Sequence, residues 1–545
     1  MTLDGVLTLA ALLVAVYAIL PRSRTLELRL LLSTFEWLVI GVAAAGIFYF
    51  EFFSFFASIG FIPHLGLMQR YGLSPQSISF LIVFFASTVL FFEVRTKKLS
   101  PNRSEAFRDL LEELISEKKH PEVIFLFERH LDRLIKLLRA DFAMQRIKRA
   151  IAHLDENKVD LDRLALVLTD PTELNHSDYK YWGLANMRRI VASMSKIIPG
   201  NERSQEAAAS TIRTVLLSSE LTRYIAINRP YLAFRILEYQ LFEEEEFLDS
   251  YIRELLVNRG GTLYFEIKNN ENLERRHLYR IPKENRILGY FLADPKVAER
   301  LGVYKPVGDF FLEELERLGK APDLDPYNDD SQDFLEREAW ASSLFISIRF
   351  FDIMLSRALY SNVAWHMWLY YLPPAIELMA ENYHPRIGID LSREWPTKYH
   401  YLIYASVNVL VDLVGALPDI PSNQENIQLE STAAIHENGN IPKSSILALG
   451  DCLCTILSSE KLTDQFKKYL LGIVLRLYLQ LRGTHPHYAK ALLLSVKSGG
   501  PEIGCPDDAY RQKLHQFWTT ADKIHFNSAD ISELERLLFS EQGES

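Results

Sequence analysis

FLIVFFASTVLFFEVRTKK, residues 80–98, carries no charge through Phe92, meets Glu93, and closes on Arg95, Lys97 and Lys98. With the residues from Ser77 onward it approaches the roughly 20 apolar residues that a bilayer-crossing helix needs. The basic cluster at its end has a physical meaning, because Lys and Arg accumulate on the cytoplasmic side of a span. Reading outward, two further apolar stretches occupy residues 5–20 and 37–59. Together they predict a transmembrane domain over residues 1–98, with spans at about 5–20, 37–59 and 77–92. Phenylalanine is concentrated there, since 13 of the 32 precede residue 93. Ordinary whole-chain values of 48% hydrophobic and 24% charged residues therefore conceal two different materials.

The distribution of positive charge predicts the orientation. Arg22, Arg24 and Arg29 follow the first stretch, Arg70 alone follows the second, and Arg95, Lys97, Lys98 and Arg103 follow the third. Seven positives against one put the first connection and everything beyond Arg95 in the cytoplasm, with the amino terminus and the 60–76 connection outside. A cleaved signal peptide is the rival reading, since Val16-Tyr17-Ala18 offers a small-residue cleavage pattern. The start, with Asp4 and neither Lys nor Arg, argues against it. Glu51 interrupts the second stretch and reads as an interfacial or intramembrane acid. Gly41, Ala45 and Gly46 give that stretch a narrow ridge on which a neighbouring span packs closely.

Beyond the spans the composition changes. The first 92 residues hold four basic and four acidic side chains, so the net charge of −10 belongs to the remainder. That acidity argues against broad binding to nucleic-acid backbones, which requires a concentrated positive field. Three cysteines, Cys452, Cys454 and Cys505, are too few for a disulfide framework and suit a reducing compartment. From Pro101 onward apolar residues recur at three and four, as in the amphipathic stretch 122–138 opened by Pro121. Gly260-Gly261 precedes Thr262-Leu-Tyr-Phe-Glu-Ile-Lys268, which reads as a strand followed by an Asn-rich turn. With a partner strand at 278–281 it predicts one β-hairpin near 261–282. The Pro- and Asp-rich stretch 317–333 reads as an internal boundary, with a long helix from 331 towards 360. Residues 361–372 are aromatic but too short to cross a bilayer, and read as a buried helix broken by Pro373-Pro374. The predicted fold is mainly α: three N-terminal transmembrane helices, a helical cytoplasmic domain over 99–320 that holds the hairpin, and a C-terminal helical domain over 331–545.

No nucleophile elbow, phosphate loop or His-Glu-x-x-His is present, so no enzyme class is assigned, and no cofactor or metal is predicted. Glu266 and Lys268 on the expected strand, with Asp249 seventeen residues earlier, resemble the acid, acid and lysine set of metal-dependent restriction-type nucleases. That resemblance implies two carboxylates on Mg²⁺ and a lysine that orients water. Cys452, Cys454, His485, His487 and Cys505 are zinc-type ligands at unsuitable spacing. His366, between Trp365 and Met367, reads as a core histidine. Arg275, Arg276 and Arg280 give the hairpin a basic face suited to an acidic protein partner. The function read from this pattern is a membrane-anchored helical interaction protein, acting as scaffold, sensor or effector at the cytoplasmic face of the plasma membrane, of bacterial inner-membrane type. Its partner is an unidentified cytoplasmic protein, and it has scope for homo-oligomers. The alternatives are a membrane-associated nuclease using Asp249, Glu266 and Lys268, or an oligomeric channel or membrane-disrupting effector of a bacterial stress or antiviral system.

Overall fold

The computed structural model describes residues 34–60, 74–96, 99–139, 202–270, 273–275, 277–361, 363, 367–419, 441–500, 508–521, 523 and 526–539, with Leu26 and Leu30. The chain forms two compact units that divide between Leu221 and Thr222. Both are mainly helical, as the 3.6-residue periodicity predicts.

In the first unit the apolar stretches form α1 (Thr34–Glu51) and α3 (Pro75–Thr96), packed against each other. α1 is interrupted at Phe52 and resumes as α2 (Phe53–Ser58). Between them they present Leu38, Val42, Phe48, Phe55, Phe84, Phe85 and Phe92 outward, each 55% exposed or more. The predicted span 5–20 lies outside the described residues, as do Arg22, Arg24, Arg29, Arg70, Lys97 and Lys98. A separate cluster is built from α4 (Ser104–Ser116), α5 (His120–Leu138) and α6 (Glu202–Leu216). Its buried positions recur at three and four, with Phe107, Leu111 and Leu114 on α4 facing Phe127, Leu131 and Leu134 on α5 and Ala208, Ile212 and Val215 on α6. Pro121 sits in the first turn of α5, where its missing N–H costs no hydrogen bond.

α7 (Ser219–Asn228) lies across the division. The second unit continues with α8 (Leu232–Leu237), α9 (Glu244–Val257), α10 (Thr262–Lys268), α11 (Arg286–Leu292), α12 (Pro295–Leu301) and α13 (Tyr304–Gly319). After α14 (Gln332–Glu336) come the long buried helix α15 (Ser343–Tyr360), α16 (Leu372–Asn382), α17 (Lys398–Gly415) and α18 (Ile441–Ser458). α19 (Asp464–Leu481), α20 (Pro486–Ser498), α21 (Asp508–Thr520) and α22 (Ser528–Phe539) complete it. α18 packs against α16, α17 and α20, and Trp368, Leu449, Leu453 and Phe466 are fully enclosed in this core. Among the described residues, two stretches here are long and apolar enough to cross a membrane, Lys398–Asp419 and Ile441–Ser458, but 56% and 78% of their apolar windows are buried inside the protein. α1 and α3 contain shorter apolar stretches, Leu38–Glu51 and Ser77–Ala86.

Several local expectations need correction. Residues 262–268 form α10 rather than a strand: Leu263, Tyr264, Glu266 and Ile267 are buried while Phe265 is 67% exposed. A strand facing the core would have buried 263, 265 and 267 together. The hairpin itself is shorter, with β1 (Leu273–Arg275) antiparallel to β2 (Leu278–Tyr279), Leu273 opposite Tyr279. Pro373 and Pro374 begin α16 instead of breaking a helix, because the first turn needs no backbone donors there. The helix expected from 331 is divided, since Ser342 accepts the Phe345 N–H through its hydroxyl and starts α15 afresh. The Pro- and Asp-rich segment 317–333 lies within the second unit. Arg386 binds the carbonyl oxygens of Asp323 and Asp325 at 3.1 and 2.8 Å, and Arg393 pairs with Asp330 at 2.8 Å, so this acidic segment is clamped to residues 386–398.

Candidate functional site

α15 carries Phe345, Ile348, Arg349 and Asp352 on one face, and α17 carries Tyr401, Tyr404, Ala405 and Asn408 at the same three-and-four spacing. The two faces do not close on each other. They leave a trough of about 350 Å³, which Trp340 and the hairpin residues Leu273 and Tyr279 complete. Ser356 on α15 holds the hairpin in place, donating to the His277 carbonyl and accepting the Tyr279 N–H at 3.4 Å.

The floor of the trough is polar. Tyr279 donates its hydroxyl proton to Asp352 Oδ2 at 2.8 Å, while Arg349 Nη1 donates to that same carboxylate oxygen and, at 2.9 Å, to the tyrosine oxygen. The guanidinium carbon also lies 5.1 Å above the Tyr279 ring centroid. Burial works against the Arg349 charge, but Asp352 and Tyr279 outweigh it and hold its pKa above the ordinary arginine value. Burial, then the neighbouring Asp352 charge, pushes the Tyr279 phenol up, so it remains a donor at neutral pH. One turn further along α17, Asn408 Nδ2 donates to Asp412 at 2.8 Å, and His277 Nδ1 lies 3.6 Å from the same carboxylate. The walls are rings, with Trp340 and Phe345 centroids 5.2 Å apart and Phe345 and Tyr401 5.8 Å apart. Flat apolar walls over a floor of mixed donors and acceptors suit binding. The sequence signal for this site was Arg349-Phe-Phe-Asp352, two charges at i and i+3 inside an otherwise apolar helix.

The nuclease set is not assembled in this way. Glu266 is 1% exposed, and its Oε2 accepts the backbone N–H groups of Ile287 and Leu288 at 2.8 and 2.9 Å, capping the start of α11. Burial raises its pKa against the opposing pull of these N–H groups. Lys268 is exposed, and Asp249 pairs with Arg253 at 3.0 Å. Asp249 lines an open cleft of about 1210 Å³ with Glu244, Glu245, Arg300 and Lys305, a cleft that neither Glu266 nor Lys268 lines. No group of three metal-ligating side chains forms among the described residues, which include Cys452, Cys454, His485 and His487. Cys452 is buried on α18 with its thiol pKa pushed up by that burial, while Cys505 and His366 lie outside the described residues.

On α1, Gly46 faces α3, where a Cβ would stand 3.3 Å from Ile82 Cδ1. Gly41 has nothing within 4 Å of the same position, and Ala45 is exposed. Glu51 closes α1, with Oε1 enclosed and making no hydrogen bond. Of the hairpin arginines, Arg280 is exposed, Arg275 belongs to β1 with a side chain outside the description, and Arg276 lies outside the described residues. Compared with protein-family models, curated proteins and solved structures, the chain matches none.

Proposed function

We propose that the chain is a membrane-anchored helical interaction protein, held by α1–α3 and the 5–20 stretch, with the region beyond Arg95 at the cytoplasmic face. The observation that carries this reading is the outward apolar surface of α1, α2 and α3, where Leu38, Val42, Phe48, Phe55, Phe84 and Phe85 are each 55% exposed or more. Each such side chain left in water forgoes roughly 1.5–3 kcal/mol of transfer free energy, and soluble monomers rarely expose contiguous apolar patches of this kind. Lipid supplies the missing solvent. Gly41 and Ala45 on the same outward surface suit a neighbouring span, from this chain or a second copy. Arg280, with Arg275 and Arg276, is the proposed docking face for an acidic protein partner.

Reporter fusions test the orientation. Fusions after Lys98 should report cytoplasm, and fusions within residues 61–73 should report the exterior, following the split of seven positives against one. The opposite pattern would overturn the placement of the cytoplasmic region.

A further inference from the structure

We propose that the trough between α15 and α17 binds the purine base of a nucleotide, with aromatic rings against its faces and Arg349, Asp352 and Asn408 along its edge.

Size narrows the choice first. At about 350 Å³ the trough lies near the lower end of small-molecule sites, roughly 300–1,000 Å³. That space accommodates one bicyclic ring and part of a sugar, and is too small for a peptide helix about 10 Å across. The walls favour a flat occupant: Tyr401 and Tyr404 stand one turn apart on α17, with Trp340 and Tyr279 completing the enclosure.

The unused hydrogen-bonding capacity narrows it further. Arg349 spends Nη1 on Asp352 and Tyr279, while its Nη2 makes no hydrogen bond among the described residues. Asp352 spends Oδ2 twice and leaves Oδ1 without a hydrogen bond. Asn408 commits its amide nitrogen to Asp412 and leaves its oxygen without one. The site thus offers donors and acceptors side by side on a paired, nearly neutral floor. A carboxylate or phosphate brings acceptors only and would confront Asp352. An ammonium group brings donors only and would confront Arg349. A purine edge brings both: guanine presents O6 and N7 to a guanidinium and N–H groups to a carboxylate, and adenine presents N7 beside its exocyclic amine. Monocyclic bases share the mixed edge but offer less stacking surface to the rings.

The test uses the intact chain in mild detergent, titrated with GMP, AMP and UMP by calorimetry and by tryptophan fluorescence. At least one purine nucleotide should bind saturably and about tenfold or more tighter than UMP. Tyr404→Leu, which removes a ring from the wall, and Asn408→Ala, which removes an edge acceptor, should each weaken that binding by at least about fivefold. Circular-dichroism melting shows that each variant is folded, and a variant that is not is replaced by Tyr404→Met or Asn408→Leu at the same position, which likewise lack the ring or the acceptor. The proposal is overturned if no purine nucleotide binds up to about 5 mM, if UMP binds as tightly, or if folded trough variants bind like wild type. None of the residues lining the trough belongs to α1, α2 or α3.

Discussion

A buried carboxylate invites a catalytic reading, and Glu266 has a structural task that accounts for its burial. Its Oε2 is engaged by two backbone N–H groups at the start of α11, a place where a helix needs exactly such an acceptor to satisfy donors that have no partner within the helix. Glu266→Ala should therefore destabilise the second unit by about 1–3 kcal/mol, seen as a lower urea midpoint. Unchanged stability would remove the capping role. His400 offers a second test at this scale. It is fully buried between the Tyr383 and Phe466 rings, with Nδ1 2.8 Å from the Thr397 hydroxyl, and burial pushes its pKa down to about 3. Because the folded value lies below the unfolded one, the proton prefers the unfolded chain. The resulting stability is present above about pH 6.5 and is lost as pH falls, by about 1.4 kcal/mol per unit. Across urea titrations between about pH 6 and pH 4, His400→Leu should lose stability less steeply than wild type by roughly one proton's worth. Parallel slopes would show that His400 takes up its proton in both states.

Among the elements, legibility followed length. α5 was readable because nineteen residues display several turns of the same apolar face. α10 was not, since seven residues rich in Thr, Tyr, Phe and Ile carry strand propensity and too few turns to reveal a helical face. The trough was even less visible, because Tyr279 and Asp352 meet from 73 residues apart and nothing local marks the pair. The α1–α3 packing was partly legible: the small-residue ridge was found, but only contact with Ile82 distinguishes Gly46 from Gly41. A Gly46→Cys, Ile82→Cys pair should form an intramolecular disulfide in membranes under mild oxidant, whereas Gly41→Cys, Ile82→Cys should not. After proteolytic cleavage between residues 61 and 73, the linked fragments should comigrate on a non-reducing gel only for the first pair. Equal linkage of both pairs would contradict the packing of α1 on α3.

At the scale of the whole molecule, two sets of apolar helices are candidates for the proposed membrane anchor, and exposure separates them. Lys398–Asp419 and Ile441–Ser458 have the length and hydropathy to span, yet more than half of each apolar window is already buried in protein. Inserting them into lipid would dismantle the core around Trp368, Leu449 and Phe466. α1 and α3 are shorter in apolar length, but Phe48, Phe84 and Phe85 on them are 55% exposed or more. The membrane reading therefore places every anchoring element before residue 99. Deleting residues 1–98 should move the chain from the carbonate-resistant pellet to the supernatant. The second unit, with its own enclosed core, should keep its melting temperature within about 2 °C, corresponding to less than about 1 kcal/mol. Were the shortened chain to remain in the carbonate-resistant pellet while still folded, α17 and α18 would become the candidate membrane helices among the described residues, and the trough between α15 and α17 would then lie against lipid instead of water.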